Sequence, residues 1–412
     1  MSKVVNMDNR LRRAPWLIFV VTLVDQIGWG MVIPILPTYA RTFGGSAIVV
    51  GWLLASYSVA QLLFAPALGR LSDRTGRKPL LLACMGGSAV AAAATGAASL
   101  LTDGALALGV LFLARALDGI TGGNTALAMS YASDVTPPER RAQGLGLIGA
   151  AIGLGYTIGP ALGGLIAHYS NAATPFYVAA GLALVNALVM WWVLPESLSP
   201  EQRQGARLNH HTGNLTSLWA WLRHPQLGPL LLINFLFIVA ASCYQMMLPL
   251  YTNLRFGLEE RDNSYLFAFL GLTMTIVQGG FIRPLVHRFG ERTIFAIGIG
   301  LLTMTLGLAP AASTVTGLVW LCAGMGIGTA LANPTLLALL TNRAADDERG
   351  EVLGVAASVA SLGRIVAPAW CGYAMKHVAV VSPFVTGASV AALAAAVFLA
   401  FLTVQRTASA QS

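Results

Sequence analysis

Twelve long apolar stretches with few or no charges restrict what this chain can fold into. Each is 18 or more residues long, enough to cross a hydrocarbon core of roughly 30 Å as an α-helix. Backbone polar groups cannot stay unbonded in lipid, so such segments must be helical. We therefore predict an all-α integral membrane protein with twelve transmembrane helices, at about 15–40, 48–69, 79–101, 104–130, 141–167, 172–194, 227–253, 263–284, 293–312, 315–341, 350–374 and 380–404.

The composition agrees with this prediction. Hydrophobic residues make up 56% of the 412 residues and charged residues only 10%, whereas a soluble domain carries about 25% charged residues. The net charge of +8 does not indicate a nucleic-acid partner, because most Lys and Arg residues lie at the start of the chain and in every second loop. The exceptions are Arg41, Arg255, Arg261 and Lys376 in the other loops, and Arg115 and Arg364 within helices. This positive-inside pattern predicts two cytoplasmic termini.

The first stretch is expected to stay in the mature protein. It follows a basic segment, is too long for a signal peptide and lacks a small-residue cleavage site. We therefore expect a multi-pass protein of the bacterial inner membrane. The cysteines lie in separate apolar stretches and are interpreted as small core residues: Cys84, Cys243, Cys322 and Cys371. The His210–His211 pair has no further ligands near it, so a solvated linker is favoured over a metal site.

The two halves of the chain resemble each other. The polar segment Pro195–Ser217 separates six stretches from six, which predicts bundles at 1–194 and 227–412 joined by a cytoplasmic linker at 195–226. The loop "SDRTGRKPLLL" is echoed by "VHRFGERTIFA", and "TIGPALGG" is echoed by "RIVAPAWCG". Parallel repeats of this kind are typical of membrane transporters. The prediction is two pseudo-symmetric six-helix bundles.

Two motifs lie in the first half. The loop "GRLSDRTGRK" needs glycines to turn between helices, and Asp73 can pair within it or reach a neighbouring helix end. A purely topogenic basic loop would explain its cations but not its glycines and aspartate. The fifth stretch is rich in small residues, which let membrane helices approach closely; helix packing alone is the alternative interpretation. These residues are Gly69, Asp73, Arg74, Gly76, Arg77 and Lys78 in the loop, and Gly146, Gly155, Gly159, Pro160, Gly163 and Gly164 in the stretch.

Four charged residues lie inside the stretches: Asp25, Arg115, Asp118 and Arg364. A charge at the bilayer centre costs about 2.5–3.5 kcal/mol on insertion scales, and such residues usually face a partner or a cavity. Arg115 and Asp118 are three residues apart and share a helix face. Asp25 lies about 15 Å along its own helix, so all three residues of the first half could meet near the midplane. A neutralised structural cluster is the alternative to a proton-coupling site.

These motifs resemble those of the major facilitator superfamily, in its twelve-helix drug:proton antiporter branch near the tetracycline-efflux type. The Gly69–Lys78 loop matches the family's signature loop, and Gly146–Gly164 matches the antiporter signature. "VDQIGWGMVIPILP" resembles the first helix of tetracycline exporters, and "RALDGITGG" resembles a fourth-helix motif whose arginine is implicated in proton coupling. The resemblance implies proton coupling by Asp25, Arg115 and Asp118, and a conformational latch in the Gly69–Lys78 loop.

The same resemblance implies that the first, fourth, seventh and tenth helices line a central substrate cavity. Met and aromatic side chains suit an adaptable apolar pocket. For each residue taken singly, helix packing or lipid contact is the more ordinary role. The cavity candidates are Asn124, Met129, Asn234, Phe237, Tyr244, Gln245, Met246, Asn333 and Arg364.

The function expected from these features is proton-coupled efflux of a lipophilic small molecule by alternating access. No phosphate-binding loop is present in the sequence, so a proton gradient is favoured over ATP, with no cofactor. The expected partners are the small-molecule substrate, protons and the lipid bilayer, and the protein is expected to act as a monomer. The first alternative is a symporter that imports a metabolite; a receptor or scaffold and a membrane enzyme are the others.

Overall fold

The computed structural model describes residues 2–137, 141–201, 203–204, 220–344 and 349–411. Fourteen α-helices have their bounds within these residues. They are α1 Ser2–Val32, α2 Leu36–Thr42, α3 Ala47–Thr75, α4 Arg77–Ala97, α5 Gly104–Thr121, α6 Asn124–Val135, α7 Arg141–Tyr169, α8 Thr174–Val193, α9 Gly228–Phe256, α10 Glu260–Ile276, α11 Ile282–Leu308, α12 Val315–Thr341, α13 Arg349–His377 and α14 Ser382–Gln411.

The predicted twelve transmembrane helices are confirmed by the length and composition of these elements. Eleven helical segments of the described chain are long and apolar enough to cross a membrane. One of them, Glu260–Ala311, has 52 residues, about 78 Å of helix at 1.5 Å per residue, which is more than twice the hydrocarbon thickness. It is interrupted at Gly290, where φ is 77° and ψ is 156°. This segment therefore supplies two spans.

Two spans are not the continuous helices that the sequence predicts. The first span ends at Val32, just before the Ile33–Pro34 step, because a proline disfavours helix in the residue before it; α2 follows as a separate helix. The fourth span breaks between Thr121 and Asn124 into α5 and α6. Gly122 and Gly123 lie at the break, and glycine is a poor helix former. The side chain of Gln61 donates to the Gly122 carbonyl at 2.8 Å, which satisfies a backbone group at membrane depth.

The described contacts divide the chain into two compact units. The first consists of Met1–Gly45, Ser56–Thr212 and Glu259–Ala268. Within it α1 packs against α7 and α8, and α4 packs against α5 and α8. A buried apolar cluster that includes Ile18, Leu81 and Tyr131 connects α1, α4 and α6. This unit holds the intramembrane charges of the first half.

The second unit consists of Ser46–Ala55, Gly213–Leu258 and Phe269–Ser412. Within it α9 packs against α13 and α14, and α11 packs against α12 and α14. Gly298 and Gly328 face each other closely: a Cβ at Gly298 would lie 2.9 Å from the Gly328 carbonyl oxygen. Small residues thus set the separation of α11 and α12.

The compact units differ from the predicted bundle boundaries in two short segments. Ser46–Ala55 belongs to the second unit because Gly51 lies against Pro368 and Gly372 of α13. Glu259–Ala268 belongs to the first unit because Ser264 lies against Gly164 of α7. Half of the predicted linker at 195–226, including His210 and His211, lies outside the described residues.

The internal repeat extends to the backbone. Gly76 and Gly290 occupy matching positions in the two repeated loops, and both have positive φ, 113° and 77°. This conformation is open to glycine and strained for other residues. In each half the glycine therefore allows one membrane helix to end and the next to begin without a longer loop.

Candidate functional site

Asp25 lies in α1, and its carboxylate is held by two amides. Oδ1 accepts a hydrogen bond from Asn124 Nδ2 at 3.2 Å, and Oδ2 accepts one from Gln26 Nε2 at 3.4 Å. The same Gln26 nitrogen lies 3.4 Å from Thr125 Oγ1. Among the described residues, no Lys or Arg lies within 4.0 Å of this carboxylate. Asp25 is therefore a carboxylate solvated by amides and not a member of an ion pair.

The break in the fourth span places a helix start beside Asp25. Asn124 is the first residue of α6, and its N-cap, Gly123, has no side chain that could bond the first N–H groups. Those groups carry the positive end of the helix dipole. Interrupted helices with such ends at membrane depth are a feature of transporter binding sites. The apolar pattern of residues 104–130 predicts a continuous helix, although the Gly122–Gly123 pair signals the interruption.

Arg115 and Asp118 form an ion pair on α5. Arg115 Nη1 lies 2.7 Å from Asp118 Oδ2, and the side chains are 8% and 19% exposed. The guanidinium carbon also lies 4.6 Å from the centre of the Tyr57 ring. Arg115 pairs with the acid on its own helix face, and no ion pair joins it to Asp25 among the described residues, so the predicted meeting of the three charges stays a prediction.

The glycines of the fifth span explain how α7 approaches the helix that carries Asp25. A Cβ at Gly155 would collide with Gln26, and one at Gly159 would lie 2.6 Å from the Ile27 carbonyl oxygen. Gly163 lies equally close to Met31. These three glycines are four residues apart, so they form one stripe along α7. The stripe positions the segment of α1 that includes Asp25.

The Gly69–Lys78 segment is not the predicted ten-residue loop, because α3 continues to Thr75 and α4 begins at Arg77, so that only Gly76 lies between the helices. The segment, still called the Gly69–Lys78 loop here, is tied together by Arg77. Its Nη1 lies 2.6 Å from Asp73 Oδ1, and its Nε donates to Asp134 Oδ2 at 3.1 Å. Asp134 lies near the end of α6. The loop thus has the internal pairing expected from its sequence and, in addition, a contact to the helix that begins beside Asp25. The Asp73 side chain is 46% exposed.

Glu196 is a residue of this region that the sequence analysis missed. Its Oε1 accepts from the Arg77 backbone N–H at 2.9 Å and its Oε2 from that of Lys78 at 3.3 Å. It thereby caps the start of α4, because Gly76 has no side chain to do so. Tyr131 fixes the preceding residue by donating to the Pro195 carbonyl at 2.8 Å. The cap and the helix are more than a hundred residues apart in sequence, so no local pattern shows the contact.

Removing this cap should destabilise the protein measurably. We expect Glu196→Ala to cost about 1 kcal/mol, the usual effect of a lost helix cap, and to lower the melting temperature in detergent. Glu201→Ala is the matched control, because Glu201 is an exposed carboxylate of the same segment. Equal melting temperatures for the two variants would show that Glu196 is not a structural cap.

The cavity candidates of the second half fall into two groups. Asn234 and Phe237 are 2% and 1% exposed, and Asn234 donates to the Ala356 carbonyl at 3.0 Å, so both have packing roles in this structure. Tyr244 and Gln245 share a polar cluster with Thr329, in which the Tyr244 and Thr329 hydroxyl oxygens are 3.0 Å apart.

The remaining candidates vary in exposure. Met129 is 39% exposed, and Asn333 is half-buried. Arg364 Nη2 donates to Ser361 Oγ at 3.1 Å. A role in substrate binding stays a prediction for the whole set.

The two halves of the chain repeat one arrangement of membrane helices, and in the first half a carboxylate lies beside an interrupted helix. These features define the class of protein as a secondary transporter. The chain belongs to the Major Facilitator Superfamily, whose family model matches residues 18–368 and, in a second match, 279–412. This membership makes the chain a transporter and not an enzyme. The expectation drawn from the motifs is therefore confirmed at the level of the family.

Similar proteins include two that are named for drug resistance. The chain is 31% identical to the class E tetracycline resistance protein of Escherichia coli over 368 residues, 87% of each chain. It is 28% identical to multidrug resistance protein 2 of Bacillus subtilis (strain 168), over 86% of this chain and 88% of that one. The crystal structure of the human organic anion transporter MFSD10 (TETRAN) shares the fold, with a TM-score of 0.71 and 24% identity over 94% of this chain and 99% of the other.

Proposed function

We propose that this transporter exports a lipophilic small molecule in exchange for protons and that Asp25 carries the proton. One observation supports this role above the others: Asp25 is bound by amides and has no cation within 4.0 Å among the described residues. A proton can bind such a carboxylate without breaking an ion pair. Asp118, in contrast, would have to give up its 2.7 Å contact with Arg115.

The Arg115–Asp118 pair is proposed to hold the site in shape. A buried pair is costly to break, since the partner that remains is an uncompensated charge. Arg115 also packs on Tyr57 of α3, so the pair connects the third and fifth helices of the structure. We infer that the pair orients α5 and keeps the charge near Asp25 constant while Asp25 gains and loses its proton.

Export is the direction favoured by the relatives. They are named for resistance to tetracycline and to multiple drugs, and resistance of this kind requires that a compound leave the cell. A symporter that imports a metabolite is less well supported, because no curated relative described above is named for uptake. The transport cycle is proposed to be alternating access, with the Gly69–Lys78 loop as a latch that depends on Asp73.

Proton coupling is tested by removing the gradient. Everted membrane vesicles energised by respiration should accumulate the exported compound, and a protonophore should abolish accumulation. The compound is first identified by a growth-inhibition panel in an efflux-deficient host with and without the gene. Accumulation that continues in the presence of the protonophore would contradict the proposed energy source.

The orientation in the membrane is a further proposal, supported by the distribution of basic residues. The termini and the 195–226 linker are placed in the cytoplasm of a bacterial cell, and the protein in the inner membrane as a monomer. A periplasm-active reporter fused at Gly205 should be silent, and the same reporter fused after Asp103 should be active. The opposite pattern would contradict the orientation.

A further inference from the structure

The amide of Asn124 has a buried carbonyl oxygen without a partner. Asn124 is 8% exposed; its Nδ2 donates to Asp25 Oδ1 at 3.2 Å and lies 3.3 Å from Met85 Sδ. Its Oδ1 is buried and accepts no hydrogen bond. In the reverse orientation, the amide oxygen would face the ionised Asp25 carboxylate and be repelled by it. The observed orientation of the amide, with Nδ2 towards Asp25, is therefore the favoured one. An unpaired acceptor therefore lies beside the carboxylate.

A second unpaired group lies on the same face of α1. Thr22 is three residues before Asp25, so the two side chains share a helix face. Thr22 is 3% exposed, and its hydroxyl oxygen is buried without a hydrogen-bond partner among the described residues. Buried polar atoms are normally bonded, and the acceptor oxygens of Asp25 and Asn124 outnumber the described donors that reach them. The group that would complete the cluster is one that carries a positive charge and donates hydrogen bonds.

We propose that Asp25 and Asn124 together bind the protonated amine of a substrate, with N–H groups donated to the Asp25 carboxylate and the Asn124 carbonyl. The proposal rests on the proposed role of Asp25 in exchange and names the substrate class for that site. Met85, whose sulfur contacts the Asn124 amide, offers a polarizable surface to the carbon groups on the nitrogen. A proton on Asp25 would occupy the oxygen that the amine requires, so the two ligands exclude each other.

The proposal separates two kinds of cation. A quaternary ammonium keeps the charge and the apolar groups but has no N–H, so it leaves the Asn124 carbonyl unpaired. Sites built around a hydrogen bond reject analogues that lack the donor. We therefore expect wild-type protein in nanodiscs to bind phenethylammonium, whose N–H groups can reach both oxygens, at least about tenfold more tightly than its N,N,N-trimethyl analogue, a ratio typical of one net hydrogen bond. Equal affinities, or binding of neither compound, would overturn the inference.

Variants assign the preference to one residue. Asn124→Leu should reduce the difference between the two cations, because only the bond to Asp25 then distinguishes them, whereas Asn124→Gln, which keeps the amide, should retain more of it. Asn186→Leu is the matched control, because Asn186 is also buried and donates to α1, at the Val21 carbonyl, 2.8 Å away. A preference that survives Asn124→Leu at its wild-type value would overturn the proposal. If Asn124→Leu does not fold, Asn124→Ser, which keeps a donor and an acceptor in a shorter side chain, should reduce the preference.

Binding of the same two cations to Asp25→Asn separates a failure of this inference from a failure of the proposed function. Asp25→Asn should weaken both cations alike, because it removes the charge that both of them need. Wild-type affinity for both cations in Asp25→Asn would refute the role of Asp25 itself. If Asp25→Asn weakens the binding of both cations but wild-type protein binds the two cations equally well, only the N–H requirement assigned to Asn124 is refuted.

Discussion

Asp25→Asn is expected to stop proton-driven efflux and, at substrate concentrations that saturate its weakened binding, to spare downhill exchange of substrate. The substitution keeps a polar side chain of the same size beside Asn124 and Gln26, so the local packing survives. It removes the carboxylate, to which a proton can bind, and leaves an amide. Purified protein in proteoliposomes with an imposed pH gradient measures the first activity, and exchange of labelled for unlabelled substrate measures the second.

The Arg115–Asp118 pair supplies the contrasting result. Arg115→Ala is expected to impair both activities, because Asp118 would be left as a buried charge without its partner, at a cost of about 3–5 kcal/mol. Proton-driven efflux by Asp25→Asn at the wild-type rate would show that Asp25 is structural. Loss of exchange in Asp25→Asn even at saturating substrate, with normal folding, would show that the carboxylate is needed for movement of the substrate as well as for proton coupling.

Gly159→Ala is expected to have the largest effect on stability. A Cβ at this position would lie 2.6 Å from the Ile27 carbonyl oxygen and 2.8 Å from the Gly30 Cα. Both are backbone atoms, so α1 and α7 would have to move apart. Overpacking of this kind costs about 1–3 kcal/mol, and here it displaces the helix that carries Asp25. We expect a lower melting temperature and a loss of transport.

Gly146→Ala is the matched control for this prediction. Gly146 belongs to the same signature and the same helix, but a Cβ there would meet no atom within 4 Å. The substitution should leave stability and transport unchanged, or raise stability slightly, because alanine is the better helix former. If the two variants melt at the same temperature, the signature glycines do not act through close packing of α1 and α7.

Much of the fold follows from the sequence because lipid leaves the backbone few choices. Apolar stretches of sufficient length must form helices, and their number and order agree with the structure. Boundaries were harder to predict where small residues act. The Gly122–Gly123 pair breaks a span that is apolar enough to be continuous. Gly290 lies within the helical segment Glu260–Ala311, and its positive φ redirects the chain, so one span ends and the next begins there without a loop.

The sequence shows the charged residues of the site and the shared helix face of Arg115 and Asp118, but not the partner of Asp25. Asp25, Arg115 and Asp118 are visible in the sequence because charges are rare in apolar stretches. Their partners depend on how helices rotate against each other, which periodicity does not determine. Arg115 pairs with Asp118 on its own helix, whereas Asp25 accepts a hydrogen bond from Asn124, which follows the break in the fourth span. Glu196 was missed for a similar reason, as its partners are backbone N–H groups of a distant helix.

The number of protons released when substrate binds tests the central claim most directly. It is measured with a pH-sensitive dye in weakly buffered detergent solution, with a compound that the growth-inhibition panel identifies as exported. If substrate and proton compete for Asp25, the wild-type protein should release protons on binding, and Asp25→Asn should bind without releasing any. Equal proton release by the two proteins would contradict the account, because the exchanged proton would then reside on another group.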